Sequence, residues 1–186
     1  MKNKKEGLID LKTYPFLLAL DQIRAYSKEK SIFLNRSAAD ALLVAKKYLP
    51  KEHNFKIKDG FRSLAVQKKI VEIHEKQFKK DYPDKWLELV NKYTGGRPEL
   101  KLKKISFMNH RSGYAVDLTI TKNGREINMG GVKLNKKDGL NYYEDRRELN
   151  REETNIRNNR RLLKKVMEKA GFQSHPAEWW HWGYIL

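Results

Sequence analysis

Between residues 38 and 45 the apolar positions recur three and four apart, the spacing that buries one face of a helix, and Asn35-Arg36-Ser37 ahead of them supplies cap residues. Pro50 ends that run. From residue 55 the pattern changes to alternation, Phe55-Lys56-Ile57-Lys58-Asp59-Gly60-Phe61, which predicts a half-buried strand stopping at the glycine. Ser63 then stands as the cap of a second helix over about residues 64–78, with Ile70, Val71, His74 and Phe78 on one face.

Residues 84–93 read as a short third helix, and Thr94-Gly95-Gly96-Arg97-Pro98 after it as loop chemistry. The β-branched run at 114–121 predicts a strand, turned by Asn123-Gly124 into a return strand over 125–129. A loop from Met129-Gly130-Gly131 to Asn141 precedes a helix over about residues 151–170, whose stripe is Ile156, Leu163, Met167 and Ala170 and whose stop is Gly171. The many Arg and Glu residues of that helix are assigned to its solvated face. The closing segment, Pro176-Ala177-Glu178-Trp179-Trp180-His181-Trp182-Gly183-Tyr184-Ile185-Leu186, is too aromatic for a tail and predicts a buried strand. Helices first, then antiparallel strands with another helix between them, indicate an α+β fold.

Composition narrows the chemistry. With 186 residues the chain has the size of one domain, expected over residues 1–186. It has no cysteine, so disulfides, thiolate nucleophiles and Cys-based metal sites are excluded, and any metal must rest on His, Asp and Glu. The formal charge of +17 suits a polyanion, yet it is scattered over the chain and no nucleic-acid module signature accompanies it, so it reads as a lysine-rich surface. The basic start Met1-Lys2-Asn3-Lys4-Lys5 is broken by Glu6 and Asp10, residues 16–20 are too short for a signal core, and no stretch has membrane-spanning length. A soluble, cytoplasmic protein is expected.

Two segments carry candidate chemistry: Asn109-His110-Arg111-Ser112-Gly113-Tyr114-Ala115-Val116-Asp117, and Glu178-Trp179-Trp180-His181-Trp182. A catalytic zinc takes three N or O ligands and keeps one position open, and His110, Asp117 and His181 supply such a set. His110 and Asp117 are an odd number of residues apart and would face opposite sides of an unbroken strand, so a bend is required, and Gly113 permits it. The same parity predicts a bulge or twist at Trp179-Trp180 between Glu178 and His181. Glu178 then fits the general base that takes a proton from a zinc-activated water, with Trp179, Trp180 and Trp182 excluding solvent around it. Arg62, in Asp59-Gly60-Phe61-Arg62, could stabilise an oxyanion, anchor a substrate carboxylate, or simply cap a strand end at the surface. His53, His74 and His175 are assigned to surface or core packing.

His-x-x-Gly-x-Ala-x-Asp followed far downstream by Glu-x-x-His-Trp resembles the double motif of the zinc D-Ala-D-Ala peptidases, in particular their VanX-type D-alanyl-D-alanine dipeptidase branch. The matching residues are His110, Gly113, Ala115, Asp117, Glu178, His181 and Trp182, joined by Asp59-Gly60-Phe61-Arg62, by Asn158-Asn159-Arg160-Arg161-Leu162-Leu163 and by Gly171-Phe172. The resemblance covers roughly residue 56 to the C-terminus. It implies one zinc on His110, Asp117 and His181, base catalysis by Glu178, transition-state stabilisation by Arg62, and an α+β domain whose mostly antiparallel central sheet is flanked by helices and carries the metal on one face.

The implied substrate is the D-Ala-D-Ala dipeptide; a carboxypeptidase or endopeptidase acting on longer peptidoglycan stem peptides is the alternative. Two departures bear on that choice. Met108 stands where the family usually has Ser, and the acid that the dipeptidase branch places after a Met-Gly pair, to meet the substrate ammonium, is missing after Met129-Gly130. Either Asp138 or Glu144 takes that task, or the N-terminal specificity differs. A basic nucleic-acid-binding protein is the reading from another class and requires the metal motif to be coincidence.

Overall fold

A computed structural model of the chain describes residues 7–24, 26–95 and 106–185. The basic start at residues 1–5 and the Gly96-Arg97-Pro98 part of the expected loop lie outside the described residues.

The helical periodicities correspond to α2 (Arg36–Lys47), α3 (Leu64–Asp81), α4 (Trp86–Thr94) and α5 (Arg151–Lys169), preceded by a single turn, α1 (Leu20–Ile23). Each long helix starts where a side chain answers orphan backbone N–H groups: Asn35 accepts from Ser37, Ser63 from Val66, and Asn150 forms a reciprocal box with Glu153.

The strands are β1 (Leu8–Asp10), β2 (Leu17–Leu18), β3 (Phe33–Asn35), β4 (His53–Asp59), β5 (Ala115–Lys122), β6 (Arg125–Glu126), β7 (Phe172–His175) and β8 (Glu178–Tyr184). β1 and β3 form a separate antiparallel pair. The main sheet runs β2-β4-β5-β8-β7, with β6 on β5, and it is mixed. β2 lies parallel to β4, reached through α1, β3 and α2 as a parallel pairing requires, while the other pairings are antiparallel. β6 is shorter than the expected 125–129, because after Ile127 donates to Ile120 the chain leaves the sheet. The following loop contains a 3-10 turn, Lys136–Asp138, which the sequence reading did not include.

Parity along β5 puts Val116, Leu118 and Ile120 on one face, where they join Phe55, Ile57, Leu42, Leu163, Met167 and Trp182 in the main core. Asp117 therefore faces the other way. A bulge at Lys58 lets Asp59 pair with Asp117, and Asp117 pairs in turn with His181, so three polar residues stand side by side across β4, β5 and β8. A smaller cluster of Val71, Phe78, Leu89 and Val90 joins α3 to α4.

Arg160 corrects one expectation. It is not on a solvated face but only 2% exposed. Its guanidinium donates to the carbonyls of Met129, Lys137 and Gly139 at 2.8–2.9 Å and lies over the rings of Tyr143 and Trp179. Burial lowers its pKa to about 10, so it remains charged at neutral pH. The position was legible, since Arg160 falls four after Ile156 and three before Leu163 on the apolar stripe, but its residue type argued for solvent.

Arg160→Met keeps much of the bulk and leaves three carbonyls without their donor. A loss of about 3 kcal/mol is expected in urea unfolding. A loss under about 1 kcal/mol would mean that water replaces the arginine.

Candidate active site

Two glycines shape the approach to the site. At Gly113 the backbone is left-handed, φ 79°, closing the 3-10 turn His110–Ser112 and delivering the bend expected between His110 and Asp117. A side chain there would meet Leu8 at 2.7 Å. Gly60 passes so close to β3 that a Cβ would lie 2.5 Å from the Phe33 carbonyl. That close passage brings the 59–62 segment against the 110–113 turn: the Gly60 carbonyl accepts from His110 Nδ1 at 2.7 Å, and Arg62 N–H donates to the His110 carbonyl at 3.2 Å.

The second predicted distortion is also present. Ser174 pairs with Trp182 and His175 with Glu178, so residues 179–181 bulge against a single step of β7. Glu178 and His181 thereby reach the same cavity, of about 560 Å³, which is also lined by Arg62, His110, Asp117 and His175. Trp179 and Trp180 line it too, with Trp179 Nε1 donating to the Gly131 carbonyl. Trp182 does not join them, because it faces the main core.

His110, Asp117 and His181 offer ligand atoms that all lie within 4.8 Å of one another. Carbonyl oxygens only accept, so the Gly60 carbonyl requires the proton on His110 Nδ1, and the Met108 carbonyl, 2.8 Å from His181 Nε2, requires it there. The remaining nitrogens turn to Asp117: His110 Nε2 is 3.3 Å from Oδ2 and His181 Nδ1 is 2.8 Å from Oδ1. Without a metal, a proton on these nitrogens can bridge to the carboxylate; once it leaves, the two lone pairs and the carboxylate converge as donors for a cation. Both distal N–H groups are anchored to backbone oxygens, as the outer partners of metal-bound histidines are. The donor set therefore fits a divalent metal ion. Met108 takes part through its carbonyl, which makes its departure from Ser immaterial to this contact.

The electrostatics agree. Burial opposes charge on Asp117, but His110 and His181 outweigh it and hold the carboxyl well below its usual range. Burial and the Arg62 charge lower His110, whereas at His181 burial is overcome by Asp117 and the pKa rises. Glu178 is pushed up to about 7, first by burial and then by the Asp117 charge.

Arg62 is not a surface residue: its side chain is 14% exposed, with Nε donating to Asp59 at 2.9 Å, Nη1 to Gln67 at 3.3 Å and Nη2 reaching Asp117 at 3.5 Å. Burial works against its charge, but Asp59 and Asp117 prevail and keep it protonated.

His175 was assigned to packing, yet its ring meets that of His181 at 5.6 Å and borders the cavity. No sequence signal marked it, because residues 172–175 were given no element between the helix stop at Gly171 and the closing strand. Neither acid proposed for a substrate ammonium lines the cavity. Asp138 is fully buried and accepts from Lys133 N, Asn135 N and the Tyr93 hydroxyl. Glu144 holds Arg161 in a two-pronged pair.

A family model described as D-Ala-D-Ala dipeptidase matches residues 18–185. A D-alanyl-D-alanine dipeptidase of Synechocystis sp. is 38% identical over 81 residues, which cover 39% of this chain and 32% of that protein. A D-alanyl-D-alanine dipeptidase of Enterococcus faecalis is 34% identical over 79 residues, 41% of this chain and 37% of that protein. The aligned segments thus span about a third of the length of these curated relatives. The family model, by contrast, takes in almost the whole chain and both segments that build the cavity, and the chain belongs to the D-Ala-D-Ala dipeptidase family.

Proposed function

We propose that this chain is a zinc-dependent peptidase, built as one domain, that hydrolyses the D-Ala-D-Ala dipeptide. The observation that carries the proposal is the donor cluster: His110, Asp117 and His181 converge with their outer nitrogens already anchored, beside a buried carboxyl. Zinc held by these three residues would supply a Lewis acid that polarises the peptide carbonyl and activates water.

Glu178 does the proton work. With its pKa raised to about 7, its carboxylate can take a proton from the attacking water and, as the carboxylic acid, return it to the leaving amine. Arg62 offers a permanently charged donor for the oxygen that becomes negative, or for the substrate carboxylate. Trp179 and Trp180 limit water at the cavity wall. No helix among the described residues is long and apolar enough to cross a membrane.

Zinc-loaded protein should release free D-alanine from D-Ala-D-Ala, stop when a chelator strips the metal, and resume when zinc returns. A second reading, cleavage of longer peptides ending in D-Ala-D-Ala, is favoured by the placement of both acids away from the cavity lining, Asp138 buried on loop backbone and Glu144 paired with Arg161 at the surface. An N-acetylated peptide with that ending, run beside the dipeptide, separates the two. Folded, zinc-loaded protein that cleaves neither would refute both.

A further inference from the structure

Arg62 is held from behind by a residue that belongs to neither motif. We propose that Tyr26, acting through Asp59, is a positioning residue that fixes the Arg62 guanidinium towards the cavity. The inference rests on the peptidase reading only for its kinetic consequence; the coupling itself stands on the geometry.

Tyr26 lies just past α1, where its N–H caps the turn on the Ile23 carbonyl. Its hydroxyl donates to Asp59 Oδ2 at 2.6 Å, the same oxygen that accepts Arg62 Nε at 2.9 Å. Asp59 Oδ1 accepts from Gly60 N at 2.8 Å, so both carboxylate oxygens are occupied and the plane of the group is set. That plane dictates where the Arg62 fork can point. Of its three contacts, Nη2 to Asp117 is the longest at 3.5 Å, which makes Nη2 the donor most easily turned to a ligand. Tyr26, Asp59 and Arg62 all border the same cavity.

A phenol suits the position because it donates without adding charge. Burial and the Asp59 charge raise its pKa above the ordinary tyrosine value, so it stays a donor throughout the working range. A carboxylate with one oxygen released would turn, and the guanidinium bonded to it would turn with it. β4 presents Asp59 beside Asp117 in the sheet, so the chain of contacts runs from the α1 segment to the centre of the donor cluster without a gap.

The test is a double-mutant cycle with an independent spectroscopic arm. Tyr26→Phe should lower kcat/KM roughly tenfold, moving whichever of kcat and KM Arg62→Lys also moves, with zinc content unchanged. In an Arg62→Ala background the same change should have almost no effect, because the residue it positions is gone. Asp59→Asn should reproduce the loss and should likewise mask Tyr26→Phe. Independently of turnover, the Arg62 Nε–H resonance in a 15N-edited NMR spectrum should shift and exchange faster with water in Tyr26→Phe. Additive losses in the cycle, or an unmoved Arg62 resonance, overturn the proposal. Failure of the peptidase reading would show instead as absent turnover in the wild type while the resonance still responds.

Discussion

Glu178→Gln should cost a factor of at least about a thousand in kcat while leaving the metal in place, because in the proposed mechanism it removes the proton acceptor and none of the ligands. The same substitution should stabilise the metal-free protein above pH 7. In the folded chain the Glu178 carboxyl holds its proton up to about 7, whereas unfolded it ionises near its ordinary 4.5. The folded state therefore binds that proton more tightly. Below the unfolded value there is no penalty; as pH rises from about 4.5 towards 7 stability falls, and above 7 the cost is constant. The full cost is roughly 3 kcal/mol, of which glutamine, neutral but still buried, should recover most.

Urea unfolding of the two metal-free proteins at pH 5 and pH 8 checks this. The gap should be small at the lower pH and large at the higher. In the zinc-loaded enzyme the cation lowers the Glu178 pKa, so the acid limb of the pH–rate profile should lie below 7, rising tenfold per pH step until the carboxylate is formed. Retained turnover, or metal lost together with activity, would remove Glu178 from the role of base.

Asp117→Asn should show the opposite combination: activity lost because zinc is lost, and a metal-free protein that is less stable. Asp117 faces both histidines and Arg62 from its two oxygens. Removing a ligand should weaken zinc binding well beyond the roughly 10–100-fold that follows loss of an outer partner. Its depressed pKa means that its stabilising contribution is complete above the ordinary aspartate value and is lost as pH falls through the lower folded value. At neutral pH the asparagine variant should thus lose about 3 kcal/mol, as expected when one member of a buried charge cluster is deleted. Metal analysis and denaturation of the metal-free protein measure the two effects separately. A variant that keeps its zinc would exclude Asp117 as a ligand.

Legibility differed sharply between elements. α2, α3 and α5 could be read because each sets an apolar stripe beside a local boundary signal, Asn35 and Pro50 for α2, Ser63 for α3 and Gly171 for α5. The bend at Gly113 and the bulge before His181 could be read because parity makes them necessary if the polar residues are to meet. β7, the β1–β3 pair and the parallel β2 could not, since strands of two to four residues carry too little periodicity and gain their stability from partners distant in sequence. The parallel pairing in particular made the sheet mixed.

Residue types and spacings along the chain, read together with the family resemblance they carry, were enough to nominate His110, Asp117, His181, Glu178 and Arg62, and parity required the two backbone distortions that let the first four converge. Tertiary structure alone decided which nitrogen of each histidine remains available, because that choice is made by the carbonyls of Gly60 and Met108, backbone groups whose positions no side-chain pattern encodes. It also decided that Arg160 and Asp138 are buried on the backbone of the 129–140 loop, that Glu144 is paired, and that Tyr26 stands behind Arg62. A charged or polar residue type states only what a side chain can bond to. Long-range packing determines which partner is within reach.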